Sequence, residues 1–277
     1  MLKKLIHYDL KSISKIWLIG LLATLALSFV AGVCGYFLYS DKEYTEVINI
    51  LSVFVLIISF LAVGIFAVGT SLLVYIRFYK HFYTDEGYLT FTLPVKRSQL
   101  LNSKIISGAI IEAATIFMVF LEIIIAIAIA TREDFFSAEA YNFFKEAIAE
   151  LQADNELLFG VIIIFAEVLI SSVLLSLASL LFTYLCISIG CSVTRKNKVL
   201  TAVGIYYGAT GVLTFILQII SLFGISGISA LVDKIPDDMS DGVILLGFAV
   251  PILFLSMIVT ILYALNYWIL DKKLNLT

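Results

Sequence analysis

The sequence predicts an all-α integral membrane protein with six transmembrane helices. Three observations carry that prediction. Apolar residues make up 61% of the chain and mean hydropathy is +1.07, well above the ~45–50% apolar content of a soluble domain. Apolar runs near 16–38, 47–76, 105–130, 157–189, 199–223 and 243–270 each exceed the roughly 20 residues a helix needs to cross a bilayer. Of 18 basic and 21 acidic residues, these runs hold only Glu112, Glu122 and Glu167. Third, the remaining charges alternate in sign from gap to gap. The N-terminus, 77–104, 190–198 and the C-terminus carry 14 Lys/Arg against 4 acids, whereas 39–46, 131–156 and 224–242 carry 4 against 14. Lys/Arg-rich segments stay in the cytoplasm, so both termini are expected inside, with the basic face toward anionic lipid.

Residues 1–15 place Leu2, Leu5, Ile6, Leu10 and Ile13 on one helical face and Lys3, Lys4, Lys11 and Lys15 on the rest. That pattern predicts a helix lying in the membrane interface before the first span. The first run is too long for a signal-peptide core and lacks a small-x-small cleavage site, so it reads as a retained span. The second run has 30 residues, about 45 Å as a helix, and must tilt or project. The fourth is longer still, which predicts a break or a protruding end. Cys34, Cys186 and Cys191 lie in or at the ends of spans with no metal-ligand spacing, and read as small apolar filler.

Segment 77–104 is the largest inner segment. Phe78, Tyr79, Phe82, Tyr83, Tyr88 and Phe91 flank an acidic turn, Asp85-Glu86-Gly87; Pro94 stops any helix, and Ser98 suits an N-cap. Aromatics beside charges fit a protein interface or an interfacial aromatic belt. The third span carries one polar stripe, Glu112, Thr115 and Glu122, within about 40° of one direction on an ideal helix. Glu122 and Glu167 fall at similar depth. Intramembrane carboxyls are candidates for a translocation path, or protonated structural acids.

In 131–156, Phe136, Ala140, Phe143, Phe144, Ala147, Ile148 and Leu151 follow helical spacing with Glu139, Lys145, Glu146 and Glu150 elsewhere, predicting an amphipathic outer helix. Ser172, Ser176, Ser179 and Thr183 form a hydroxyl stripe that suits tight packing or a substrate groove. Gly204 and Gly208 form a GxxxG with Gly211 one turn on, for packing within the chain or against another subunit. Segment 224–242 has an apolar start that suggests a dip back into the membrane before Pro236. Pro251 predicts a kink in the last span. No internal repeat or low-complexity tract is present.

Segment 77–104 resembles the first cytoplasmic loop of type-two ATP-binding-cassette (ABC) exporter permeases. In that family a short helix after the second span is followed by an acidic-Gly turn, Leu-Pro and a Lys entering the third span; the matching residues are Asp85-Glu86-Gly87, Leu93-Pro94 and Lys104. The resemblance extends to the N-terminal helix and the six-span order. It implies one permease domain over 1–277 in a bacterial plasma membrane, with 78–92 as coupling region and Phe82, Tyr83, Thr84, Asp85, Glu86, Gly87 and Tyr88 docking on a separate ABC ATPase subunit. It also implies a second permease, identical or related, with Gly204 and Gly208 at the interface. The substrate it suggests is an amphipathic, antimicrobial or toxin peptide, to which the acidic outer face adds attraction for cations. No GxxxxGK[ST] loop occurs, so this chain is expected to be non-catalytic and to hold no cofactor, with ATP and magnesium on the partner. No nucleic-acid partner is expected.

Two other readings remain open: a peptide sensor or immunity protein without an ATPase, and a proton-coupled carrier using Glu122 and Glu167. The second predicts transport that follows pH and survives ATP depletion. Only two histidines occur, His7 and His81, both outside the spans, so no intramembrane protease site can be built.

Overall fold

The computed structural model describes residues 2–40, 44–92, 94–135, 137–153, 155–194, 196–232 and 240–272, without the side chains of 133, 155–157, 217, 220–232, 240–249 and 272. Among the described residues all regular structure is helical. The order is α1 (Leu2–Tyr39), α2 (Glu46–Tyr83), α3 (Asp85–Phe91), α4 (Arg97–Ala130), α5 (Arg132–Phe135), α6 (Ala138–Ala153), α7 (Asn155–Val193), α8 (Lys198–Val232) and α9 (Ser240–Lys272). Six are long and apolar enough to span a membrane: α1, α2, α4, α7, α8 and α9. This is a multi-pass membrane protein with the six spans read from its sequence.

Two compact units can be distinguished, Met1–Arg77 with Ile106–Phe165, and Phe78–Ile105 with Ala166–Thr277. The division falls inside α2, α4 and α7, so neither unit is one stretch of sequence.

In the first unit, α1 runs parallel to α4. Trp17 Nε1 donates to Thr115 Oγ1 at 2.8 Å, Thr24 Oγ1 lies 2.7 Å from Glu122 Oε1, Arg132 Nη2 donates to Tyr36 Oη at 3.0 Å, and Tyr39 Oη donates to Asp134 Oδ2 at 2.6 Å. Partner numbers rise together along α1 and along α4 with the α5 that follows it, as first and third spans of an alternating bundle require. Gly32 lets the backbones close: a Cβ there would sit 2.8 Å from that of Ile129. By contrast α2 runs antiparallel to α1, with Ser59 Oγ 3.4 Å from Leu27 O and Arg77 Nε 3.8 Å from Asp9 Oδ1.

In the second unit, α9 runs antiparallel to the start of α4. Tyr263 Oη donates to Asn102 Oδ1 at 2.9 Å, and Arg97 Nη1 reaches Asp271 Oδ1 at 3.0 Å. Asn266, fully buried, donates its amide to Leu181 O and Leu262 O, both at 2.9 Å. Leu101, Leu180, Leu181 and Leu270 complete a closely packed core.

Several expected boundaries move. Residues 2–15 form no element of their own; they are the first turns of an unbroken α1. Their buried face, Asp9 and Ile13, continues in register into Thr24 and Ser28 of the span. The fourth run is not broken: α7 is continuous over 39 residues, about 58 Å. Ser98 is not the cap of α4, which begins at Arg97 after Lys96, whose carbonyl accepts from Gln99 N and Leu100 N. Along the hydroxyl stripe on α7, Thr183 is buried and Ser176 half-buried, while Ser172 and Ser179 are exposed. α8 continues as helix to Val232, through the apolar start of the predicted dip, while Pro236 lies outside the described residues. α9 passes through Pro251 as one helix.

Candidate functional site

The segment between the second and third spans is organised around α3, a seven-residue helix set against the end of α2. Thr84 separates the two. Its hydroxyl donates back to Lys80 O at 2.6 Å, closing α2, while its carbonyl accepts Gly87 N at 2.8 Å, opening α3. The acidic-Gly sequence is therefore not a turn. Asp85 and Glu86 are the first turn of α3, where carboxylates oppose the positive end of the helix dipole. Lys198 Nζ donates to Tyr83 O at 3.3 Å, placing a cation at the C-terminal end of α2.

Gly87 is buried, and a Cβ there would stand 2.9 Å from Phe82 O and 3.1 Å from Phe82 C. Those are backbone atoms that cannot swing aside. Glycine at this position is what lets α3 lie directly on the last turn of α2. The ring of Phe91 meets that of Phe82 at 5.7 Å.

The aromatic cluster sorts by face. Spacing of i, i+4 puts Phe78 and Phe82 on the buried side of α2, at 0% and 1% exposure. Phe78 stacks on Tyr184 of α7 with centroids 3.8 Å apart and planes 6° from parallel. Tyr184 Oη in turn donates to Lys104 O at 3.3 Å. Tyr79, Tyr83 and Phe91 are half-buried. Of the six aromatics read as a surface, only Tyr88 is fully outward, at 64%. The surface that α3 presents is Asp85, Glu86, Tyr88 and Leu89, the last at 68% exposure. Leu89 escaped the sequence reading, although the 85–89 spacing on a helix points to it. Tyr184 has no local signal; only the fold brings it against Phe78 of α2.

The intramembrane acids differ in burial. Thr115 and Glu122 are both buried and both face α1, so the stripe predicted on the third span does point into protein. Glu112 on the same helix is half-buried. Glu122 Oε1 meets Thr24, and its buried Oε2 has no hydrogen-bond partner among the described residues. Glu167, half-buried on α7, belongs to the second unit. Thr24 is the partner that the sequence could not name.

Gly204, Gly208 and Gly211 lie along an exposed side of α8. A Cβ at any of them would meet nothing within 4 Å among the described residues. Packing within the described chain therefore does not account for this stripe.

No family model, curated protein or solved structure matches this chain. Its functional reading rests on its own residues.

Proposed function

We propose that this chain is the membrane-spanning subunit of an ATP-driven ABC exporter. ATP is hydrolysed on a separate subunit that docks on α3, and the substrate class is an amphipathic, antimicrobial or toxin peptide. The observation that supports this reading best is the construction of α3. It offers two carboxylates, a tyrosine and a leucine outward, while Gly87 and Phe91 set it directly on Phe82 of α2, and Phe82 and Phe78 carry the contact on to Tyr184 of α7. A partner that moves α3 moves the spans, because no slack separates them. The open glycine side of α8 supports a second permease, identical or related, packed there. Orientation with both termini in the cytoplasm of a bacterial cell belongs to the same proposal.

The test is co-purification of the chain with the products of its neighbouring genes in mild detergent. A stoichiometric ATPase is expected, and Tyr88→Ala with Leu89→Ala is expected to release it by the loss of aromatic and apolar anchors, at least tenfold in affinity. A chain that arrives alone, without nucleotide hydrolysis, overturns the proposal and favours a sensor or immunity protein. One observation favours the carrier reading: the buried, unpartnered Glu122 oxygen could take part in proton exchange. Transport that persists without ATP and is lost in Glu122→Gln would establish it.

A further inference from the structure

The basic residues at the start of α1 lie on the opposite side of the helix from the one that meets protein. Asp9 and Ile13 are 4% and 6% exposed, in line with Thr24, Ser28 and Ala31 further along. Lys4, Lys11 and Lys15 are exposed and follow i, i+7, i+11 spacing. The same series runs on through Leu18, Leu22 and Phe29, all more than half exposed. On an ideal helix these six positions fall within about 60° of one another. This side is exposed and, through the span, apolar, as a lipid-facing surface is, and the lysines continue it beyond the end of the apolar run.

The heights agree. A hydrocarbon core of about 30 Å takes up roughly the 20 residues from Ile16 onward, and the headgroup layer adds about 5–8 Å on each side. At 1.5 Å per residue, Lys15 and Lys11 lie roughly 2 and 8 Å beyond Ile16, within the phosphate layer. Lys4 stands beyond it, within reach of the surface potential. No acid on α1 opposes them: Asp9 is the only acidic residue in 2–40, and it is turned inward beside Arg77 at 3.8 Å.

We propose that Lys11 and Lys15 bind the phosphate headgroup of an anionic phospholipid, held alongside the apolar face of Leu18 and Leu22, and that Lys4 adds attraction from beyond the headgroup layer. The occupant is a lipid because charge and acyl-facing surface are continuous on one side of one helix. An acidic protein segment would match the lysines but not the exposed leucines above them. This assignment is independent of the transport reading; either can fail without the other.

The experiment reconstitutes the full chain in vesicles of equal phosphatidylglycerol and phosphatidylcholine, extracts it into a neutral mild detergent, and counts retained lipids by native mass spectrometry. Retained lipid is expected to be enriched in phosphatidylglycerol. Lys4→Gln/Lys11→Gln/Lys15→Gln is expected to lower the enrichment on the order of fivefold or more, the effect of at least one basic residue near an anionic surface. The corresponding Lys→Arg triple is expected to keep it, and salt is expected to weaken it in the unaltered chain. Retained lipid with the composition of the bilayer overturns the proposal. So does an enrichment that survives the Gln triple, or one that is indifferent to salt if that triple does not fold.

Discussion

Two of the short helices between spans, α3 and α6, are held in opposite ways. α3 has seven residues, yet Gly87 is buried in it and lies against backbone atoms of Phe82. α6 has sixteen residues and a well-formed apolar side, yet none of its residues is buried, and Phe143, Phe144 and Ile148 stand more than half exposed. Only Ala140, Ala147 and Leu151 along one line of α6 are even partly covered. Amphipathicity and length alone thus do not attach a helix to a bundle. A glycine that admits backbone contact, with an aromatic stack beneath it, does. α3 is fixed to the end of α2, whereas α6 leaves its apolar side uncovered by the described residues.

The comparison is broken most severely beneath α3. Phe78→Ala removes a fully buried ring from the stack on Tyr184 and is expected to cost about 3–5 kcal/mol, read as a lower Tm of the detergent-solubilised chain. If the Tm holds, the stack does not anchor α3. Gly87→Ala is expected to cost less, about 1–3 kcal/mol from overpacking, and to loosen α3 itself. Limited proteolysis within 84–92 should then accelerate while cleavage elsewhere stays the same. The smallest effect is expected on α6: Phe143→Ser with Ile148→Ser should change stability by about 0.5 kcal/mol or less, since surface substitutions rarely do more. A large fall in Tm would show that α6 is covered after all.

The six spans were legible because each apolar run is uninterrupted and the gaps differ in sign; no tertiary information is needed for that. α6 was legible from its period, although Phe136 at its predicted start lies outside the described residues. The N-terminal segment was legible as helix but not as continuous with the first span, because an apolar face on residues 2–15 serves equally for lying on a membrane or for packing beside protein. What decides is the phase of Asp9 and Ile13 relative to Thr24 and Ser28 in the span, which places all four on one buried side. The aromatic segment misled similarly. Spacing groups Phe78 with Phe82 but does not say which side of α2 is occupied, and the occupant, Tyr184, is about a hundred residues away. Glu122 was recognised as a buried carboxyl, while its contact, Thr24, lies 98 residues earlier in an apolar run that carries no charged residue to search for.

The parallel pairing of α1 with α4 bears on how the chain is made. Synthesis delivers the N-terminal portion first, so α1 with its Thr24 is available to the membrane before α4 brings Glu122. A carboxyl that would be costly in bare lipid therefore emerges beside a hydroxyl already waiting for it, provided α2 has crossed in between and returned the chain to its starting side. Chain order gives the acidic span a ready hydrogen-bond donor at the moment of its insertion.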